Sequence, residues 1–290
     1  MKLSLVISTL GRTTDITRLF ESLEAQACED FEVIVVDQND DERLAEFIRP
    51  DDWQFAIRHI RTPDQRGLSR GRNVGWRQAR GEIVLFPDDD CWYPADFLSR
   101  ALKLFDELNA DILCGRAADM TGRSINGRFE KTRQQIDRKN VFTTQIEWVA
   151  FFRRDMLFKL GGYDETIGVG ASTPFQACEG QDIVLRALAS DAKAFYDPDL
   201  YGHHADISKA RPDRSSIVKA RGYARGLGRV LRLHRYSTAS LFLWLARPLA
   251  KMPFSMLRGR FKKTVELGNI FLGRAEGYWA SVGSSQGAAE

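Results

Sequence analysis

Cysteine is scarce and scattered in this chain. The four residues Cys28, Cys91, Cys114 and Cys178 form no C-x-x-C pair, which argues against a structural zinc or a disulfide framework and suits a reducing compartment. Long apolar runs are missing too. No uncharged apolar stretch reaches 18 residues, so no ordinary transmembrane helix is expected. The first apolar run, Leu3 to Ile7, is too short for the core of a signal peptide and reads as a strand. There is no internal repeat and no low-complexity tract.

Charge is plentiful and unevenly spread. The 290 residues carry a net charge of only +3, yet residues 207 to 265 hold 15 Lys or Arg against one acid, Asp213. The remainder holds 27 bases and 38 acids. A shift of this size marks a boundary of structure and role. It divides the chain into a domain over 1–206 and a basic, helical extension over 207–290. With 43% hydrophobic residues, the first part can bury a substantial core.

The first ninety residues alternate strand-like and helix-like patterns. Strands are predicted at Leu3–Ser8, Phe31–Asp37, Phe55–Arg61 and Glu82–Phe86, with helices over Thr14–Ala25 and Ser69–Ala79. This order implies an α/β fold with a mostly parallel central sheet flanked by helices. Further on, the pattern predicts a helix over Pro94–Leu108, a strand in D-I-L-C-G-R-A-A-D-M and a buried strand over Ile146–Arg153. A helix over Gln181–Ala189 and a last strand near Ala194–Tyr196 follow. Parallel sheets place ligand sites at the C-terminal ends of their strands. Ser8-Thr9, Asp37 and Asp88-Asp89-Asp90 all fall at such ends.

The stretch F-P-D-D-D-C-W-Y-P, Phe86 to Pro94, sets three carboxylates side by side, where they repel one another. A solvated turn explains them without function. A D-x-D pair at a strand end also suits a hard divalent cation, Mg²⁺ or Mn²⁺, and such an ion neutralises phosphates.

Several ordered motifs resemble the inverting glycosyltransferases of family 2, which have the GT-A nucleotide-sugar-binding fold. They are V-I-S-T-L-G-R-T-T near the start, V-I-V-V-D-Q-N-D-D, G-L-S-R-G-R-N-V-G-W-R-Q-A-R-G-E-I-V-L-F-P-D-D-D, F-F-R-R-D-M-L-F-K-L-G-G-Y-D-E and E-G-Q-D-I-V-L-R. The resemblance spans Leu3 to His204. It implies that Thr9, Arg12 and Asp37 line the nucleotide pocket, with Asp37 reading the base. Arg72 and Arg66 would face the diphosphate, where a guanidinium fork suits phosphate oxygens. Asp88 would lie near the ribose with Asp89 beside it, and Asp90 would be a direct ligand of Mn²⁺ or Mg²⁺. His203 or His204 resembles a histidine that some members use as a further ligand. The family usually presents E-D-x-D-L-x-x-R on the acceptor side, whereas this chain has E-G-Q-D-I-V-L-R. Gly180 therefore stands where many members carry the catalytic base, and the resemblance leaves that role to Asp182 or Glu179.

In the extension, Arg221, Arg225, Arg229 and Arg232 recur at helical spacing, followed by an apolar segment interrupted by Arg247, Pro248, Lys251 and Pro253. A helix with apolar and cationic faces suits an anionic membrane interface. A plain helical cap on the catalytic domain is the other reading. No nucleic-acid reader motif is present. The expected function is metal-dependent transfer of a sugar from a UDP-, GDP- or dTDP-linked donor to a hydroxyl of a glycan or polyprenyl-linked acceptor. The expected location is cytoplasmic, peripheral on the inner membrane face. The alternatives are a non-catalytic, membrane-associated glycan-binding protein, or a sugar nucleotidyltransferase, which lacks its Gly-rich, Lys-containing loop here.

Overall fold

Valine, isoleucine and leucine fill the first two strands, β1 (Leu3–Thr9) and β2 (Phe31–Asp37), and every residue in both is buried. Burial on both faces is what a parallel strand inside a helix-covered sheet requires. The computed structural model describes residues 1–206 and 212–280. The first residues of the expected extension, 207–211, and the last ten, 281–290, lie outside the described residues. The described chain divides into two compact units, residues 1–165 with 179–206, and residues 166–178 with 212–280.

The first unit is built on one eight-stranded sheet. Its remaining strands are β3 (Ala56–Arg61), β4 (Ile83–Leu85), β5 (Ile112–Ala118), β6 (Gln134–Gln135), β7 (Ala150–Arg153) and β8 (Ala194–His203), in the order β3-β2-β1-β4-β7-β5-β8-β6. β3, β2, β1 and β4 are parallel, and so are β5 and β8. β7 runs antiparallel between β4 and β5, and β6 antiparallel to β8. Helices α1 (Asp15–Glu24), α2 (Leu68–Trp76), α3 (Phe97–Leu108), α4 (Arg154–Leu160) and α5 (Glu179–Leu188) accompany it. In α1 the residues at helical spacing, Ile16, Leu19, Phe20 and Leu23, are the buried ones. The sheet register pairs Thr9 with Asp37, so the ends of β1 and β2 open on the same edge.

The structure departs from the sequence pattern at Ile146–Arg153. Only Ala150–Arg153 is strand, and Glu147–Val149 is a 3₁₀ turn. Two bonds withdraw this backbone from the ladder. The Tyr93 hydroxyl donates to the Trp148 carbonyl at 2.6 Å, and the Val149 N–H donates to the Ile146 carbonyl at 3.0 Å. α5 begins two residues before its predicted start, and β8 continues well past Tyr196 to His203.

The second unit has three helices, α6 (Arg214–Leu233), α7 (Thr238–Leu257) and α8 (Phe261–Trp279). Asp213 caps α6, accepting from the Ser216 N–H at 2.7 Å in a reciprocal capping box. The loop 166–178 belongs to this unit. The Gln176 N–H donates to the Gly222 carbonyl of α6, and the Arg229 guanidinium lies 5.0 Å over the Phe175 ring. The apolar segment of α7 is not broken at its prolines; it runs through Pro248 and Pro253. Pro248 denies a hydrogen bond to the carbonyl four residues earlier, which is that of Trp244. Arg274 of α8 donates Nη1 to this carbonyl at 2.5 Å. No described helix is long and apolar enough to cross a membrane.

Candidate active site

The site begins at the ends of β1 and β2. The Asp37 carboxylate is fully buried. Its Oδ1 accepts from the Asn39 N–H at 2.9 Å and from Asn39 Nδ2 at 2.8 Å, and its Oδ2 lies 3.1 Å from His59 Nε2. Three polar contacts offset the cost of burying this group and fix its direction. Thr9 is buried at the end of β1. Arg66 pairs with Asp40 in the exposed turn after β2, and no described contact joins it to the acid triplet.

The triplet follows β4. Arg12, from the loop after β1, reaches across to it, with Nη2 2.7 Å from Asp90 Oδ2 and Nε 3.7 Å from Asp89 Oδ1. The other Asp90 oxygen lies 3.0 Å from His204 Nε2. That hydrogen bond holds the Asp90 carboxyl below its ordinary range and the His204 imidazole above its own. Burial, aided by Asp90 and Asp88 and opposed by Thr9 and Arg12, pushes Asp89 up to about 7. Burial also pushes Asp88 up to about 6, against the pull of Arg72. These are carboxyl groups short of positive charge.

The structure separates the two candidate histidines. His204 faces Asp90, whereas His203 is buried, 5.7 Å from the Trp92 ring in a stack and with Nδ1 3.2 Å from the Ala118 carbonyl. Asp90 and His204 together offer one hard oxygen donor and one imidazole, a pair that could contribute to holding a divalent cation. Among the described residues no three His, Cys, Asp or Glu side chains assemble a closed metal cage.

Arg72, on α2, joins this triplet to α5. It is one of the largest fully buried side chains. Its Nη2 lies 3.2 Å from Asp88 Oδ1 and its Nη1 3.3 Å from Glu179 Oε1. The neighbouring Asn73 ties the G-G-Y-D-E turn to α2, donating to the Tyr163 carbonyl at 2.9 Å and to Glu165 at 3.0 Å. Gly162 is required there: its φ is +86°, and a Cβ would lie 2.3 Å from Asn73 Oδ1.

On α5, Glu179 is 5% exposed and Asp182 2%. Asp182 Oδ2 accepts from Arg186 Nε at 2.8 Å, and Arg186 also donates to the carbonyls of Leu160 and Gly162. Both predicted acids are therefore paired with arginines, Glu179 with the buried Arg72 and Asp182 with the part-buried Arg186. A third acid, Glu147 of the 3₁₀ turn, lies beside them. A Cβ built at Gly180 would fall 2.4 Å from Glu147 Cγ and 2.7 Å from Oε1. Burial, then the charge of Glu179, pushes Glu147 up to about 7, while Arg72 and the backbone N–H groups of Glu147 and Gly180 oppose the shift. Glu147 is not among the acids that the sequence motifs single out. Its one signal was an acid inside the apolar run I-E-W-V-A-F-F, where an unpaired charge is expensive.

Comparison with known proteins agrees with this geometry. The family model described as "Glycosyl transferase family 2" matches residues 4–167. A relative from Haemophilus influenzae, described as an uncharacterized glycosyltransferase, is 25% identical over 77% of this chain and 76% of its own length. Several other bacterial relatives are matched over less than half of their own length. Among solved structures, a Pyrobaculum calidifontis mannosyltransferase in complex with GDP-Man and Mn²⁺ aligns with a TM-score of 0.66 at 16% identity, covering 96% of this chain and 87% of that one. S. aureus TarS 1-349 in complex with UDP-GlcNAc aligns with a TM-score of 0.55 at 18% identity, covering 95% and 91%. With the family model matching more than half of its length, on a sheet of the GT-A type, the chain belongs to glycosyl transferase family 2.

Proposed function

We propose that the protein is a metal-dependent, inverting hexosyltransferase that moves a sugar from a nucleotide-sugar donor to a hydroxyl of a glycan or polyprenyl-linked acceptor. The observation that carries this reading is the convergence of Thr9, Asp37 and the Asp88–Asp90 triplet at the ends of β1, β2 and β4, with Arg72 behind them. Solved family-like folds hold UDP-GlcNAc in one case and GDP-Man with Mn²⁺ in another, which supports the donor class.

In this reading Asp37 accepts from the nucleotide base, held ready by Asn39 and His59. Arg12 leaves Asp90 for the donor diphosphate, since both offer anionic oxygens to its fork. Asp90 and His204 would hold Mn²⁺ or Mg²⁺, which supplies positive charge to the departing diphosphate. Arg72 keeps Asp88 and Glu179 in place, and Asp88 faces the ribose. A carboxylate takes the acceptor proton as the acceptor oxygen attacks the anomeric carbon. Titration calorimetry with UDP, GDP and dTDP tests the donor site: one nucleotide should bind with Mn²⁺ present and bind at least about tenfold more weakly with EDTA. Failure of all three to bind in Mn²⁺ would remove the reading.

We assign residues 1–206 to the chemistry and 207–290 to a peripheral contact with the inner membrane face. In the described part of the extension, Leu243 is 70% exposed, Leu257 88% and Phe261 68%. They are interleaved with Arg247, Lys251, Arg258, Arg260, Lys262 and Lys263, the composition of an interfacial, amphipathic surface. Such a contact would bring the site to a lipid-linked acceptor.

A further inference from the structure

The carboxylate that faces the acceptor is open to assignment from the geometry of α5 and the turn before β7. Three acids compete for it. Asp182 is shut away with Arg186, and Arg186 is itself anchored to two backbone carbonyls. Glu179 is buried and already serves as counter-charge to Arg72. Glu147 differs from both. It is only part-buried, and no Arg or Lys lies within ion-pair distance among its described contacts. Its carboxyl occupies the space over Gly180 that any larger residue would fill.

We infer that Glu147 is the catalytic base of the transfer, delivered by the 3₁₀ turn into the space that Gly180 leaves at the N-terminus of α5. The inference rests on the glycosyltransferase reading above. In the step it describes, Glu147 takes the proton of the acceptor hydroxyl while that oxygen forms the bond to the anomeric carbon. The bond from the anomeric carbon to the diphosphate oxygen breaks, and the nucleoside diphosphate leaves with the electron pair. The proton passes from Glu147 to water after product release.

Three features prepare Glu147 for this. The Gly180 backbone N–H, in the first turn of α5 where it has no partner within the helix, donates to its carboxylate. The groups acting on it are Glu179, Arg72, Asp88, Tyr163 and Cys114, and the single cation among them, Arg72, is shared with Asp88 and Glu179. A carboxyl balanced in this way exchanges its proton near neutral pH, as a general base must. The Tyr93–Trp148 hydrogen bond, 2.6 Å long, holds the turn that presents it.

The test needs no known acceptor, because water can take its place. Wild-type protein with Mn²⁺ is incubated with UDP-GlcNAc, UDP-Glc, GDP-Man and dTDP-Glc, and nucleoside diphosphate release is followed for whichever donor turns over. Glu147→Gln should slow release by at least about 100-fold and leave the nucleoside diphosphate Kd within about twofold. Gly180→Asp alone should also be slow, since its side chain collides with Glu147. The pair Glu147→Ala with Gly180→Asp, which moves the carboxylate across the same space, should recover at least tenfold over Glu147→Ala. Release within threefold of wild type in Glu147→Gln would overturn the assignment. So would a loss of nucleotide binding equal to the loss of rate, which marks a structural role. Wild-type protein that binds and turns over none of the donors would instead overturn the glycosyltransferase reading, and the base with it.

Discussion

Arg72 Nη2 lies 3.2 Å from Asp88 Oδ1, inside a site where carboxylates outnumber buried cations. Burial opposes the charge on Arg72, but Tyr163, Glu179, Asp88 and Glu147 together keep it firmly protonated. Arg72→Met would leave Asp88 and Glu179 without their partner. Breaking a buried pair from one side costs about 3–5 kcal/mol, so Tm should fall by roughly 10 °C. Arg72→Lys should recover only part of this, since an ammonium lacks the fork that spans two carboxylates. Calorimetry of the three proteins checks it, and equal Tm values would show that Arg72 is not the keystone of the cluster.

The raised Glu147 carboxyl sets a pH dependence. Its ordinary value is 4.5 and its folded value about 7, so the base is protonated below neutrality. Release of nucleoside diphosphate should therefore rise with pH through about 7 and level off above it. The stability contribution runs the other way. The folded state holds a proton that the unfolded chain gives up near pH 4.5, so stability is fully present below that value and is lost as pH rises through about 7. Glu147→Gln should flatten the stability curve between pH 5 and 8, measured by urea unfolding.

Asp37 and His59 form a second linked pair at the nucleotide end. Asp37→Asn keeps the size of the side chain but removes its charge and reverses half of its hydrogen-bonding sense. Nucleotide affinity should drop at least about tenfold, with the fold retained by circular dichroism. Unchanged affinity would show that Asp37 serves β2 alone.

Arg274 closes the gap that Pro248 opens at the Trp244 carbonyl. Arg274→Met should destabilise the helical unit by about 1–2 kcal/mol. Hydrogen exchange should accelerate around residues 244–252 and remain unaltered in β1 and β2.

The exposed apolar face of α7 and α8 supports one more expectation. Leu257→Glu combined with Phe261→Glu should abolish co-sedimentation with vesicles of anionic phospholipid. Binding of the unaltered protein should weaken as salt is raised. Equal sedimentation of both proteins would refute the membrane face.

Much of this architecture could be read in the residues themselves. β2 and β4 declared themselves by dense Val, Ile and Leu beside acids, β1 by its Leu, Val and Ile, and α1 by its spacing of Ile16, Leu19, Phe20 and Leu23. The edge where Thr9, Asp37 and Asp88–Asp90 meet followed from that order alone. What stayed hidden depended on contacts distant in sequence. Ile146–Val149 has the composition of a strand, and the bond from the Tyr93 hydroxyl, 55 residues away, helps to hold Glu147–Val149 as the 3₁₀ turn that presents Glu147. The pairing of Asp37 with His59 depends on strand register, which one sequence does not reveal. α7 looked interrupted because its rescue of Pro248 comes from Arg274, 26 positions later. Of His203 and His204, only His204, just past the end of β8, reaches Asp90, and the end of that strand was not visible in the sequence.

The central claim is inverting transfer from a nucleotide sugar. Proton NMR of the first sugar released from an α-linked donor, recorded with Mn²⁺ before mutarotation equilibrates the anomers, tests it most directly. The account predicts that the β-anomer appears first and that Glu147→Gln suppresses it. Initial release of the α-anomer, or no release from any donor, would contradict it.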